Sequence, residues 1–122
     1  MKLVKELKSN RIKIAAISSS KNCRYILKKT GLFRLFDIVL TSNDIKRGKP
    51  DPEIFLTAAG RMRVNSEDCV VFEDAFLGVE AAKRARMKCI GIDRQNKPER
   101  LRKADIIVKD LAEINFGLLQ LL

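Results

Sequence analysis

Three short groups of residues in this chain have the types and spacing that phosphoryl-transfer chemistry uses: Ser18-Ser19-Ser20, Gly48-Lys49-Pro50 and Glu73-Asp74. Where a strand opens into a helix, hydroxyls, backbone N–H groups and the helix dipole can converge on an anion. Lys21 and Asn22 add donors to that turn, and a lysine there opposes the dipole unless an anion is close. Lys49 precedes a proline, which biases it toward extended geometry and aims its ammonium, the group a transferring phosphoryl needs for charge neutralisation. Glu73 and Asp74 end an apolar run, where paired carboxylates are costly unless they meet a cation or donors, and hard oxygen ligands of this kind suit Mg²⁺. Each group also has a plainer reading. The serines could be helix caps, Lys49 a solvated turn residue, and the acids partners of a helix N-terminus.

These residues need elements to hold them. Apolar runs at Ile12–Ile17, Phe36–Leu40, Cys69–Phe72, Lys88–Asp93 and Asp105–Val108 alternate with helical periodicity, an α/β pattern. The first helix gathers Leu3, Val4 and Leu7, and the next is expected from about Lys21 to Thr30 with Ser20 as N-cap and Gly31 as stop. Asp51-Pro52 predicts another helix start, followed by Ile54, Phe55, Ala58, Ala59 and Met62 at helical spacing. Gly78, Val79, Ala82 and Ala85 mark a further helix, Pro98–Lys103 a short one, and Leu111–Leu122 a closing apolar helix. Continuous apolar strands imply a parallel, Rossmann-like sheet covered by helices on both faces. Ligands then bind at the carboxyl ends of the strands, and all three groups fall on that rim.

At 122 residues and 46% hydrophobic content, one domain spanning residues 1–122 is expected. The net charge of +10 comes entirely from the residues before Val64, the part holding the serines and Lys49. Such a field could attract anionic substrates or nucleic acid, or be no more than a solvated basic surface. One tyrosine, no tryptophan and no nucleic-acid motif argue against base stacking or readout. Histidine is absent, which excludes Ser-His-Asp and Cys-His catalysis and zinc sites containing histidine. Cys23, Cys69 and Cys89 are unpaired by spacing, and Cys69 and Cys89 read as small buried hydrophobes in a reducing compartment. The N-terminus has no signal-type apolar segment and no run approaches a membrane span, so a cytoplasmic protein is expected.

On one rim and in this order, the three groups resemble motifs II, III and IV of the haloacid dehalogenase superfamily, closest to its β-phosphoglucomutase-like branch. The segments Ile14–Asn22, Gly48–Phe55 and Phe72–Val79 carry the resemblance. It implies that Ser18 binds the transferring phosphoryl with the Ser19 N–H beside it, and that Lys49 neutralises the phosphoryl. It further implies that Glu73 and Asp74 hold Mg²⁺, and that Ser20, Lys21 and Asn22 grip a second phosphate of a small phosphorylated substrate. The expected activity is phosphatase or phosphomutase chemistry on a sugar phosphate or similar phosphomonoester. A phosphate-binding domain that has lost its nucleophile is the alternative.

The resemblance breaks at one place. Family members carry an Asp-x-Asp strand, with the phosphorylated nucleophile first and the general acid/base second, followed by a helical cap; neither occurs here. Turnover by this chain alone is therefore not expected. That strand is central in the family, between those matching Ile12–Ile17 and Cys69–Phe72, so its absence leaves two unpaired edges about two 4.8 Å spacings apart. A closed-up sheet, a strand from a second copy or another chain, or a longer protein supplying an N-terminal segment would each repair this. The last is favoured, because the chain opens in a helix whose family role is to lead from the cap into the core.

Overall fold

The structure, a computed structural model, describes residues 2–18, 20 and 22–122. Helices α1 (Lys2–Ser9), α2 (Cys23–Lys29), α3 (Glu53–Met62), α4 (Phe76–Arg84) and α5 (Phe116–Gln120) alternate with strands β1 (Ala15–Ile17), β2 (Ile38–Leu40), β3 (Val70–Glu73), β4 (Lys88–Ile92) and β5 (Ile106–Val108). Every strand pairing is parallel, as the continuous apolar runs predict. The strands do not form one sheet. β1 pairs with β2, and β3–β4–β5 form a separate trio, so among the described residues β1 and β3 each pair along a single edge. Among the described residues no strand pairing joins β1 to β3.

Alternation along the strands sorts side chains between two covering layers. Val71 and Cys89 join Leu40, Phe55, Ala58, Ala59, Val79 and Ala82 in the core beneath α3 and α4. Ile90 and Ile92, with Val70 and Phe72, turn to the opposite face, where Leu3 of α1 and Leu118 and Leu119 of α5 cover them. The Glu6 carboxylate accepts the Phe116 N–H, tying α1 to α5 across that face.

Several boundaries differ from expectation for local reasons. β1 is shorter than Ile12–Ile17, because Arg11 has φ 60 and the Asp37 carboxylate takes the Ile14 N–H at 2.6 Å. The closing helix is broken: Asp110 caps a 3₁₀ turn at Leu111–Glu113, Ile114 is extended, and the Asn115 side chain, accepting from the Leu118 N–H, starts α5. Polar caps outcompete apolar periodicity there. Likewise α2 begins at Cys23, with Asn22 rather than Ser20 at the capping position. Cys89 is fully buried, whereas Cys69 is half-buried, and all three cysteines are free thiols. Burial, with Glu73 and Asp105 nearby, pushes the Cys89 thiol up to about 12, so it is inert packing. Among the described residues no helix is long and apolar enough to cross a membrane.

Asp44 closes the β2 rim. Its carboxylate accepts the Thr41 N–H at 2.8 Å and meets Arg24 at 3.2 Å and Arg61 at 3.5 Å. The Thr41 bond leads in holding its pKa below the ordinary 3.8, outweighing desolvation, with both arginines adding to it. Asp105, despite desolvation, is lowered by its hydrogen bonds from Lys83 at 2.7 Å and from the Cys89 N–H at 2.8 Å. A depressed carboxylate contributes stability that is present above its unfolded pKa and lost as pH falls through the folded value. The urea midpoint is therefore expected to be flat from pH 7 to about 5 and to drop below about pH 4. Asp44→Asn should lower the midpoint at pH 7 and flatten the acid drop; an unchanged acid limb would reject the assignment.

Candidate active site

The loop after β2 carries Lys49, and three devices hold it. Thr41 and Asp44 form a capping box on the turn Ser42–Asp44. The Glu53 carboxylate takes the backbone N–H groups of Lys46 and Arg47 at 2.8 and 2.9 Å, and Asp51 accepts the Glu53 N–H at 2.9 Å. Asp51 was expected as the cap with Pro52 opening the helix; instead Pro52 holds the capping position, α3 starts one residue later at Glu53, and the Lys49–Pro50 bond is cis. Glu53 was not singled out by sequence reasoning. Its position at the start of an apolar helix was the available signal, since first-turn acids often serve backbone donors.

This loop delivers the Lys49 ammonium to Glu73 at the carboxyl end of β3, 2.7 Å from Oε2. The ammonium also lies 5.2 Å from the centre of the Phe55 ring, whose face attracts a cation. The Glu73 side chain is only 10% exposed, so the pair is partly desolvated. Its other oxygen accepts the Asp74 N–H at 3.2 Å, and Asp74 itself is exposed. Gly78 makes room for this: a Cβ there would lie 1.9 Å from Glu73 Cδ. Gly78 was visible in the sequence as part of α4; its close approach to Glu73 was not.

Ser18 follows β1 at the same end of the parallel strands, its N–H donating to the Leu40 carbonyl at 3.0 Å. Its hydroxyl accepts the Ser20 N–H at 3.1 Å, and the Ser20 hydroxyl accepts the Asn22 N–H at 3.2 Å. These nested turns precede α2, with Asn22 making no side-chain capping bond. The expectations for Ser19 and Lys21 lie outside the described residues. Of the predicted residues, Lys49 and Glu73 are in direct contact, while Ser18, Ser20 and Asn22 form a separate hydroxyl and N–H turn on the β1 end.

For a divalent cation the available donors are the Glu73 and Asp74 carboxylates. No group of three or more His, Cys, Asp or Glu residues that could hold a metal occurs among the described residues. Two carboxylates fit Mg²⁺, which keeps several waters and takes phosphate oxygens as further ligands. They do not suit a site built wholly from protein ligands.

The fold is thus a Rossmann-like parallel α/β arrangement with a lysine–carboxylate pair at its strand ends. The chain belongs to the haloacid dehalogenase-like hydrolases, whose family description it matches over residues 1–86. It is 36% identical over 118 residues to validoxylamine A 7'-phosphate phosphatase of Streptomyces hygroscopicus subsp. limoneus, covering 95% of this chain and 55% of that protein. It is also 36% identical to β-phosphoglucomutase of Bacillus subtilis, covering 97% and 51%. Among solved structures, β-phosphoglucomutase from Clostridium difficile superposes with a TM-score of 0.90 at 35% identity, covering 98% of this chain and 52% of that one. The β-phosphoglucomutase-like branch is thereby established, and the chain spans about half the length of the curated relatives it matches.

Proposed function

We propose that this chain supplies the phosphate- and Mg²⁺-binding half of a phosphoryl-transfer site acting on a sugar phosphate or another small phosphomonoester, in a cytoplasmic setting. The observation that carries this is the Lys49 ammonium held 2.7 Å from the Glu73 carboxylate at the carboxyl ends of the strands. Lys49 neutralises phosphoryl oxygens, and the Ser18 hydroxyl with the neighbouring Ser19 N–H orients them. Ser20, Lys21 and Asn22 offer donors to a second, non-transferring phosphate. Glu73 and Asp74 hold Mg²⁺, which when bound would shield phosphate charge. Partial desolvation strengthens the Lys49–Glu73 attraction relative to water.

The sequence contains no Asp-x-Asp, so the chain alone binds phosphate without forming an aspartyl-phosphate. That same absence supports a second reading, a non-catalytic sugar-phosphate-binding domain. Titrating the purified chain with inorganic phosphate in the presence of Mg²⁺, followed by ³¹P NMR, tests the shared part. Lys49→Met should weaken phosphate binding by about tenfold or more, the scale of one charge-assisted contact, while costing about 1 kcal/mol of stability. Undetectable phosphate binding by the folded wild-type chain would sink both readings. Turnover of p-nitrophenyl phosphate that Asp74→Ala abolishes would overturn the inactivity of the chain by itself.

A further inference from the structure

The Lys49–Glu73 pair leaves little of either group free for a ligand. Glu73 Oε2 lies 2.7 Å from the Lys49 ammonium, and Oε1 accepts the Asp74 N–H at 3.2 Å. The carboxylate has little room to turn aside, because it fills the space over Gly78, where even a Cβ would lie 1.9 Å from Glu73 Cδ. The ammonium is held in turn by the Phe55 ring face 5.2 Å away and by a loop that the Glu53 carboxylate anchors at Lys46 and Arg47. The Lys49 and Glu73 side chains are 28% and 10% exposed, so solvent screens their attraction only in part. Asp74, next in the chain, is exposed.

This geometry makes each partner the competitor of the other's ligand. A dication approaching the Glu73 carboxylate meets an ammonium already seated on Oε2. A phosphate approaching Lys49 meets a carboxylate of its own sign. Either ligand alone separates the pair and strands one partly desolvated charge, which is the costly way to break a buried ion pair. The two ligands together leave neither stranded, because the cation takes over Glu73 and the anion takes over Lys49. No proton, electron or covalent bond moves in this exchange.

We infer that the Lys49–Glu73 pair is an exchange lock that makes Mg²⁺ and phosphate bind this chain cooperatively, each ligand releasing the side chain the other needs. Built on the functional reading above, the lock adds its regulation: the metal is the effector for phosphate, and phosphate for the metal. Linkage requires the coupling to be reciprocal, and couplings of this kind amount to about 5- to 150-fold in affinity. Direct contact between bound Mg²⁺ and a phosphate oxygen also couples the two ligands. The lock differs from it in one respect. With the metal absent, Glu73 opposes phosphate binding, whereas bridging alone gives Glu73 no part in metal-free binding.

The test uses the purified chain, MgCl₂ and inorganic phosphate, with affinities from calorimetry and ³¹P NMR. In metal-free buffer, Glu73→Gln should tighten phosphate binding by about fivefold or more. Asp74→Asn removes the same charge one residue away and should change that affinity by less than about twofold, as for an exposed charge. With saturating Mg²⁺ the sign inverts, and Glu73→Gln weakens phosphate binding. Independently of any variant, Mg²⁺ alone should shift the Lys49 Nζ and Cε signals of the wild-type chain labelled with ¹⁵N,¹³C-lysine. Equal effects of the two substitutions in metal-free buffer would reduce Glu73 to background charge and overturn the lock, as would Lys49 signals that stay in place while Mg²⁺ binds. A wild-type chain that binds both ligands without coupling would overturn the lock and leave the phosphate-site reading intact. A folded chain that binds neither ligand would remove that reading and the lock together.

Discussion

Gly78→Ala is expected to destabilise the protein by about 1–3 kcal/mol and to expel the Glu73 carboxylate from Lys49. In an open helix the same change would stabilise by up to about 1 kcal/mol, because alanine has the higher helix propensity. The sign reverses here because the new methyl would lie 1.9 Å from Glu73 Cδ and 2.2 Å from Oε2. The glutamate side chain is what yields, so the 2.7 Å ion pair goes with it. Gly60 provides the internal control: it also lies within a helix, α3, but a Cβ there meets nothing within 4 Å. Gly60→Ala should therefore raise the urea midpoint while Gly78→Ala lowers it. Carbonyl-labelled glutamate NMR should show the Glu73 carboxylate shifting in the Gly78 variant alone. Equal and stabilising effects of the two substitutions would refute the packing argument.

Leu40→Ala is expected to cost about 2–5 kcal/mol, the range for removing a large buried aliphatic side chain. Leu40 is fully buried at the end of β2, in the cluster joining α3 to the β3–β4–β5 sheet. Typical domains have about 5–15 kcal/mol of stability in all, and one with an open cleft between its sheets has less burial to draw on. The variant should unfold at markedly lower urea and bind a hydrophobic dye at neutral pH. Its Ser18 contact should loosen too, since the Ser18 N–H donates to the Leu40 carbonyl. Tyr25→Ala, at a side chain 64% exposed on α2, should change stability by less than about 0.5 kcal/mol. A Leu40 effect that small would show that the two sheets do not share one core.

The strand identities, their parallel direction and the rim that collects Ser18, Lys49 and Glu73 were legible in the chain, because continuous apolar runs and helix punctuation are local signals. Local competition hid the finer boundaries: Asp37 shortens β1, and Asn115 splits the final helix, each through one side-chain bond to a backbone N–H. Motif spacing likewise could not distinguish which of the rim residues touch. Lys49 meets Glu73, while the Ser18 and Ser20 hydroxyls turn to backbone N–H groups.

The sequence by itself determined the residue types at the strand ends and the alternation that places helices on both faces. Only the tertiary structure decided that the sheet remains in two parts, that Gly78 is the space Glu73 occupies, and that Glu53 anchors the Lys49 loop. The physical reason is range. Periodicity and capping depend on neighbours a few residues apart, whereas the Lys49–Glu73 contact and the cleft between β1 and β3 join segments whose approach is set by how both helical layers pack.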